Sequence, residues 1–174
     1  MGIEFRLLGP LEVLRDGESV PLRAAKQRAL LADLLVHRGK VVSVDRLVDD
    51  LWQESPPAGA RHALEAHASR LRGAVGDAAT LLAQPPGYAL QVESDALDVV
   101  RFERLLAEAR AAAPERAEQL AVEALALWRG PPLADFAYEP FAQAEIARLE
   151  ELRWEATHLR IDAELALGRE GLVP

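Results

Sequence analysis

Patterns that favour β-strands are confined to the first 94 residues of this 174-residue chain. The opening stretch Ile3-Glu4-Phe5-Arg6-Leu7 alternates apolar and polar residues, as a half-buried strand does. Two more short strands flank Asp16-Gly17, a dipeptide that favours a tight hairpin turn. Beyond Ser94 only helix and turn patterns remain. We therefore expect two modules, a mixed α+β module at residues 1–94 and an all-helical module at residues 95–174.

The composition excludes several classes of site. Half of the residues are hydrophobic, so the chain can bury a packed core. Cysteine is absent, which rules out a disulfide framework and thiolate-bound metal. The sequence carries neither a signal-peptide pattern nor an apolar run of about eighteen residues. We therefore expect a cytosolic protein without a membrane partner.

The formal charge of -8 is distributed unevenly along the chain. Up to Ser94 there are 11 Lys and Arg against 12 Asp and Glu, a net charge of -1, whereas the remainder has 9 against 16, a net charge of -7. This asymmetry is typical of two modules with different partners, although acidic solvated helix faces also explain the second half. Because phosphate binding depends on Lys and Arg, the weakly charged first module predicts weak binding by a lone protomer.

The mixed module is expected to contain three helices before a β-hairpin. The first helix covers residues 24–38 and stops at Gly39. The second runs from an N-cap at Ser43 to Trp52, after a possible brief strand at residues 41–42. The third runs over residues 57–75, since proline suits the first turn of a helix. Strands at 81–83 and 88–92 then form a hairpin, and this order predicts a winged helix able to contact duplex DNA.

The third helix has a core face and a face suited to DNA. Helical periodicity places Leu64, Ala68, Leu71 and Val75 on the core face. The opposite face has a midline of mostly small residues, flanked by longer polar side chains, and can enter a major groove about 12 Å wide. The midline is His62, Ala66, Ser69 and Gly73, the flanks are Arg70 on one side and Glu65 and Arg72 on the other, and Arg61 and His67 lie near the core boundary.

Two interpretations of this face remain open. As a DNA-binding face, it presents Arg70 to a guanine edge, Glu65 or Ser69 to other base edges, and Arg61, His67 and Arg72 to phosphates. As an ordinary solvated face, its arginines have no special role. Trp52 is open in the same way, because a tryptophan there can fill the core or donate its indole N–H to a phosphate.

The second module is expected to be a tetratricopeptide-like stack of helices. One helix has Asp98 as its N-cap, a second runs from Pro114 to Trp128 before Gly130, and a long third helix covers residues 141–167. Its apolar stripe runs through Ile146, Leu149, Leu152, Ala156, Leu159, Ala163 and Ala166. Such units bury their faces by stacking, and about three repeats are usual. We therefore expect either a truncated helical domain or a partner on the exposed stripe.

The motifs of catalysis, cofactor binding and metal binding are missing. Gly39-Lys40 lacks the other residues of a phosphate loop. His62 and His67 are five residues apart, not the four of a helical zinc site, and His37 and His158 stand alone. The carboxylates of the second half are interpreted as solvated helix faces. We predict no enzyme, no cofactor and no metal.

Several separated motifs resemble one family of bacterial regulators, the Streptomyces antibiotic regulatory protein family. They are Lys26-Gln27-Arg28-Ala29-Leu30-Leu31-Ala32, Val42-Ser43-Val44-Asp45-Arg46-Leu47, Leu51-Trp52, His67-Ala68-Ser69-Arg70-Leu71-Arg72, Pro85-Pro86-Gly87-Tyr88 and Trp128-Arg129-Gly130-Pro131-Pro132-Leu133. The resemblance covers nearly the whole chain. It implies an OmpR-type winged helix followed by a bacterial transcriptional activator domain, of which about half is present.

The resemblance also implies partners and residue roles. The expected partners are double-stranded DNA with direct repeats, side-by-side protomers on that DNA, and RNA polymerase holoenzyme at genes often concerned with secondary metabolism. By resemblance, bases are expected opposite Arg70 and Ala66, and phosphates opposite Trp52, His62, His67, Ser69 and Arg72. The predicted set also includes Glu65 for bases and Arg61 for phosphates, from the helix face, and Lys26 for phosphates. The expected wing residues are Gln84, Pro86, Gly87 and Tyr88, which offer no cation to the minor groove. The alternative is a protein-interaction scaffold without DNA affinity, which the acidic helical half permits.

Overall fold

A computed structural model of the chain describes residues 2–76 and 79–168. The chain opens with a three-stranded antiparallel sheet in the order β1 (Ile3–Arg6), β2 (Glu12–Arg15) and β3 (Glu18–Ser19). Asp16 and Gly17 join β2 to β3 with φ angles of 52° and 85°, the left-handed conformation that a tight hairpin turn needs. The predicted opening sheet and its turn are therefore confirmed.

Three helices and a hairpin follow, in the order predicted for a winged helix. They are α1 (Ala25–Val36), β4 (Val42–Ser43), α2 (Val44–Trp52), α3 (Ala60–Val75), β5 (Thr80–Gln84) and β6 (Gly87–Gln91). The strands form a second sheet in the order β4-β6-β5. Ser43 caps α2 as predicted, because its Oγ accepts a hydrogen bond from the Arg46 N–H at 3.2 Å.

The start of α3 differs from its prediction. The helix begins at Ala60 rather than Pro57, because Gly59 adopts a left-handed φ of 78° at the N-cap. The Ala63 N–H donates to the Gly59 carbonyl at 3.0 Å, which is the first turn of helical hydrogen bonding. Pro56 and Pro57 therefore shape the preceding turn instead of the first turn of the helix.

The second half consists of α4 (Asp98–Arg110), α5 (Pro114–Leu125) and α6 (Pro140–Ala166), each packed on its neighbour. The α6 stripe is buried at Leu149, Ala156 and Ala163, but Ala166 is exposed. Helix α5 ends before Trp128, whose ring packs edge-on against Phe102 at 5.3 Å between centroids. Residues 169–174, the end of the predicted second module, lie outside the described residues. Within the described ranges, no helix is both long and apolar enough to span a membrane.

One hydrophobic core runs through both halves of the chain. It joins Phe5 and Leu30 of the first half to Phe102 and Leu149 of the second, and all four are fully buried. The mixed and helical halves are therefore packed against each other through this core.

The predicted role of Asp98 as an N-cap is wrong, because Leu97 occupies that position in α4.

The Asp98 carboxylate joins the two halves. It accepts hydrogen bonds from the backbone N–H groups of Leu7, at 2.8 and 3.0 Å, and Leu8, at 3.0 Å. Burial raises the pKa of Asp98, although these N–H groups favour its ionised form. The prediction that the carboxylates of the second half are solvated is wrong for Asp98, because this residue is buried. Its carboxylate serves as the acceptor for backbone N–H groups that water cannot reach.

Ion pairs connect the halves at several further places, two of which involve carboxylates of the second half with partners in the first. Arg38, after α1, contacts Glu103 of α4 at 2.8 Å and Glu145 of α6 at 3.0 Å, and Arg148 contacts the same two carboxylates. Elsewhere Asp135 accepts from Arg28 at 2.6 Å and from the Leu11 N–H at 2.8 Å. These carboxylates also depart from the predicted solvated faces, because their partners come from the first half.

Candidate nucleic-acid interface

Helix α3 separates a buried face from an exposed one, as its periodicity predicts. Leu64, Leu71 and Val75 are fully buried, and Ala68 is buried beside them. The other side exposes His62, Glu65, Ser69, Arg70, Arg72 and Gly73, with Ala66 half-buried between them. The structure thus places the predicted base-facing side chains on one continuous surface.

Gly73, on the midline of this surface, is not required by packing. A Cβ built at Gly73 meets no atom within 4 Å, and the residue has no positive φ angle that would demand glycine. Glycine inside a helix costs about 0.5–1 kcal/mol relative to alanine. The close approach of another molecule is a physical reason for the absence of a side chain at this position of the midline.

Four of the predicted residues lie close together around His67, the others being Trp52, Arg70 and Lys26. The Trp52 and His67 rings are 6.3 Å apart between centroids and inclined by 39°. Burial lowers the pKa of His67, and the charges of Arg70 and Lys26 lower it further. The His67 Nδ1 is buried and has no hydrogen-bond partner among the described residues. Burial and the two nearby cations therefore favour the neutral imidazole.

Arg70 is the exposed cation of this group. Its guanidinium makes no side-chain hydrogen bond or ion pair with any residue that the structure describes. All five N–H donors of an arginine in this state remain open to an incoming acceptor. A guanine edge and a phosphate both suit this planar donor group.

Two predicted phosphate contacts, Lys26 and Arg61, are engaged with other elements of the protein. The Lys26 Nζ donates to the Leu51 carbonyl at the end of α2, where a cation also complements the helix dipole. Arg61 forms an ion pair with Asp45, and both side chains are exposed. Their partners come from other elements, so the sequence pattern of α3 gave no sign of them.

The remaining predicted residues of α3 differ in how far they are engaged within the protein. His62 is 90% exposed, and its Nδ1 lies 3.5 Å from Glu65 Oε2. Ser69 is exposed on the same side. Arg72 reaches across to β5, where its guanidinium donates to the Leu81 carbonyl at 3.2 and 3.3 Å.

The hairpin tip consists of uncharged residues. Gln84, Pro85 and Pro86 are exposed, whereas Gly87 is buried and Tyr88 is half-buried. A Cβ on Gly87 would lie 1.8 Å from the Val42 carbonyl oxygen, so close pairing with β4 requires glycine. Of the four predicted wing residues, Gln84 and Pro86 are therefore at the exposed tip, and the other two hold the hairpin against β4.

Sequence reasoning missed the nearness of the helical half to this surface. Gln53, directly after Trp52, donates from Nε2 to Glu139 Oε2 at 3.1 Å. Glu139 lies at the start of α6, 86 residues further along the chain. No local pattern predicts such a pair, because neither residue belongs to a motif.

Comparison with known families matches both halves. Residues 17–90 match the family model described as "Transcriptional regulatory protein, C terminal". Residues 97–173 match the model described as "Bacterial transcriptional activator domain". The two matches occur in the order that the sequence predicts.

Whole-chain relatives are transcriptional regulators. The transcriptional regulatory protein EmbR of Mycobacterium tuberculosis is 41% identical over 184 residues, which cover 98% of this chain and 46% of EmbR. The regulatory protein AfsR of Streptomyces coelicolor is 37% identical over 95% of this chain and 17% of AfsR. RedD, a transcriptional regulator of the same organism, is 34% identical over 97% of this chain and 51% of RedD. This chain thus spans about half the length of EmbR and RedD.

The fold is also similar to that of a solved relative. The structure of Mycobacterium tuberculosis EmbR in complex with a low affinity phosphopeptide matches with a TM-score of 0.89 and 38% sequence identity. The match covers 96% of this chain and 46% of that chain. The family and these relatives are regulators of transcription, not enzymes. This chain belongs to the Streptomyces antibiotic regulatory protein family of transcriptional regulators.

Proposed function

We propose that this protein binds duplex DNA in a sequence-specific manner through α3 and activates transcription. The observation that carries the proposal is the exposed face of α3, where Arg70 is unpaired among the described residues and stands beside a bare midline. A bidentate contact from arginine to guanine supplies about 1–3 kcal/mol of discrimination between bases. Ala66 and Glu65 complete the proposed base-facing group.

Phosphate contacts are proposed around this centre. His62, Ser69 and His67 lie on α3, and Trp52 lies beside His67. Lys26, Arg61 and Arg72 remain in the proposed set, because a guanidinium or ammonium that already donates one hydrogen bond keeps its charge and further donors. Phosphate contacts position the protein on the duplex, whereas base contacts specify the sequence.

The charge balance supports cooperative rather than solitary binding. The first 94 residues have a net charge of -1, so phosphate neutralisation by one protomer is weak. We therefore propose that protomers occupy direct repeats side by side and that RNA polymerase holoenzyme is recruited next to them. The family name supports genes of secondary metabolism as targets, and a role at the chromosome implies a cytoplasmic location.

Selection of duplexes from a random pool by the full chain tests this function. We expect an enriched motif that occurs as a direct repeat, bound with an affinity that falls steeply as salt rises. Arg70→Ala should lower affinity for the enriched site by about 10- to 100-fold, in line with the loss of one bidentate contact. Arg116→Ala, on α5 in the helical half, is the matched control and should bind as the unmodified chain does.

The result also decides against the scaffold alternative. A protein-interaction scaffold would enrich no duplex and would show no salt-dependent DNA affinity to lose. Footprinting on the promoter next to the gene itself, with and without polymerase, then tests recruitment, because recruitment predicts mutual strengthening of the two footprints.

A further inference from the structure

The two ring nitrogens of His67, on α3, lie in different surroundings. Nδ1 is enclosed by the protein and has no hydrogen-bond partner among the described residues. Nε2 also lacks a partner in that part of the chain, but it is not enclosed, so an incoming group can reach it. The Trp52 ring lies beside the imidazole, 6.3 Å away between centroids. His67 therefore offers one nitrogen to the proposed DNA surface and keeps the other within the protein.

These surroundings select one form of the neutral ring. A neutral imidazole has one N–H donor, and its second nitrogen is an acceptor. A proton on the enclosed Nδ1 would leave a buried donor without an acceptor, the kind of unpaired group that folded proteins rarely keep. A bare Nδ1 is unpaired as well, but buried acceptors without a donor are less rare than buried N–H groups without an acceptor. The geometry therefore favours a proton on Nε2, where water or a ligand can accept from it.

The charged form of His67 is opposed by its geometry and by its neighbours. An imidazolium ion has N–H donors at both nitrogens, so it would again put a proton on the enclosed Nδ1. From α2 the uncharged Trp52 faces the ring, and the charged groups that act on it are Lys26 of α1 and Arg70, one turn further along α3. Burial lowers the pKa of His67, and the charges of Arg70 and Lys26 lower it further. The neutral ring is therefore favoured on both grounds.

We propose that His67 binds a DNA phosphate as a neutral hydrogen-bond donor, with the proton on Nε2 and with Nδ1 unprotonated inside the protein. This role of His67 rests on the proposed DNA-binding function and deepens it, because it assigns the chemical form in which one phosphate contact is made. A phosphodiester oxygen accepts hydrogen bonds, so the N–H at the reachable nitrogen suits it. A neutral donor neutralises no phosphate charge and releases no counterion. The contact therefore positions the duplex without adding to the salt dependence of binding.

Nitrogen NMR of the full chain without DNA tests the tautomer. Long-range correlations between ring protons and ring nitrogens distinguish a protonated nitrogen from a bare one by their chemical shifts. At about pH 7.5 we expect His67 to show a protonated Nε2 and a bare Nδ1. The exposed His62 ring is the internal control and should show the averaged shifts of a solvated imidazole. A proton on Nδ1 of His67, in the neutral or in the charged ring, would overturn the proposal.

Two substitutions test the contact with DNA, measured on the duplex that the unmodified chain enriches. His67→Gln has an amide donor at about the reach of Nε2 and has no charged form, so it should keep most of its affinity and the same dependence on salt. His67→Leu has no donor, and its affinity should fall by about tenfold or more, as expected for a lost hydrogen bond to a charged group. His158→Leu makes the same change on α6, in the helical half, and should bind as the unmodified chain does.

The outcomes separate this contact from the proposed function. An unmodified chain that binds no duplex would overturn DNA binding and the contact with it. A duplex that His67→Leu binds as tightly as the unmodified chain does would overturn the contact alone. A weaker salt dependence in His67→Gln would show that His67 is charged in the complex, and so would overturn the neutral donor. The tautomer measured by NMR decides the proposal if neither variant folds.

Discussion

Arg72 of α3 donates from Nε and Nη2 to the carbonyl oxygen of Leu81, at 3.3 and 3.2 Å, and so ties the proposed recognition helix to the hairpin. The hairpin carries the uncharged tip, and α3 carries the exposed cations. This contact therefore helps to fix the angle between the two elements that are proposed to face DNA.

Replacement of Arg72 tests this connection. Arg72→Ala should lower the free energy of unfolding by about 1 kcal/mol, the usual net contribution of a hydrogen bond, and should speed amide exchange in residues 80–84. Arg72→Lys keeps the charge but not the planar pair of donors, so it should not restore protection. If lysine fully restored slow exchange, charge rather than geometry would fix the hairpin.

The bare midline of α3 predicts opposite effects on stability and binding. Gly73→Ala should raise the free energy of unfolding by about 0.4–1 kcal/mol, because the site is open and alanine favours helix. Gly73→Gln should fold equally well yet weaken DNA binding at least tenfold, since a long side chain fills the space the duplex is proposed to enter. Thermal melts and fluorescence anisotropy measure the two effects, and undiminished binding by the glutamine variant would contradict the proposed docking.

Gly87, the other glycine at the interface, should lose stability when alanine replaces it, the opposite of the effect expected at Gly73. Gly87→Ala places a methyl group against the Val42 carbonyl, so the free energy of unfolding should fall by more than about 3 kcal/mol. Gly73→Ala is the matched control, because it makes the same chemical change at an open position. Chemical denaturation of both variants measures the contrast, and equal stabilities would show that β4 and β6 can move apart freely.

Asp98 should contribute more to the free energy of unfolding than any exposed carboxylate of the helical half. Asp98→Ala leaves the buried N–H groups of Leu7 and Leu8 without their acceptor, at a cost of about 2–5 kcal/mol. Asp98→Asn retains one acceptor oxygen and should lose less. Urea unfolding should rank the unmodified protein above the asparagine variant and that above alanine. A neutral Asp98→Ala would mean that water replaces the carboxylate.

Glu103 predicts a loss of stability at acidic pH. Partial burial acts to raise the pKa of Glu103, but hydrogen bonds from Arg38 and Arg148 outweigh it and hold the pKa below its usual value. Its contribution to stability is therefore present above the unfolded pKa, about 4.3, and is lost as pH falls through the lower folded value. Glu103→Gln should flatten the decline in Tm below pH 4, whereas Glu108→Gln, at an exposed pair, should not.

Local physical chemistry accounts for what the sequence could predict. The Leu64 periodicity, the Ser43 cap and the Asp16-Gly17 turn depend on neighbours within a few residues, and all three are confirmed. Contacts between distant segments were not predictable. Asp98 resembles an N-cap until Leu7 is placed beside it, about 90 residues away, and Arg61 resembles a free cation until α2 brings Asp45 to it.

The shared core and the Asp98 contact also fix the orientation of the helical half relative to the winged helix. In the proposed complex with DNA, a helical half packed on the winged helix through this core would point in one direction around the duplex. Activation should then vary periodically with the distance between the bound repeats and the promoter. Insertion of about 5 base pairs turns the protein to the far side of the DNA, and insertion of about 10 returns it, because the duplex repeats every 10–10.5 base pairs.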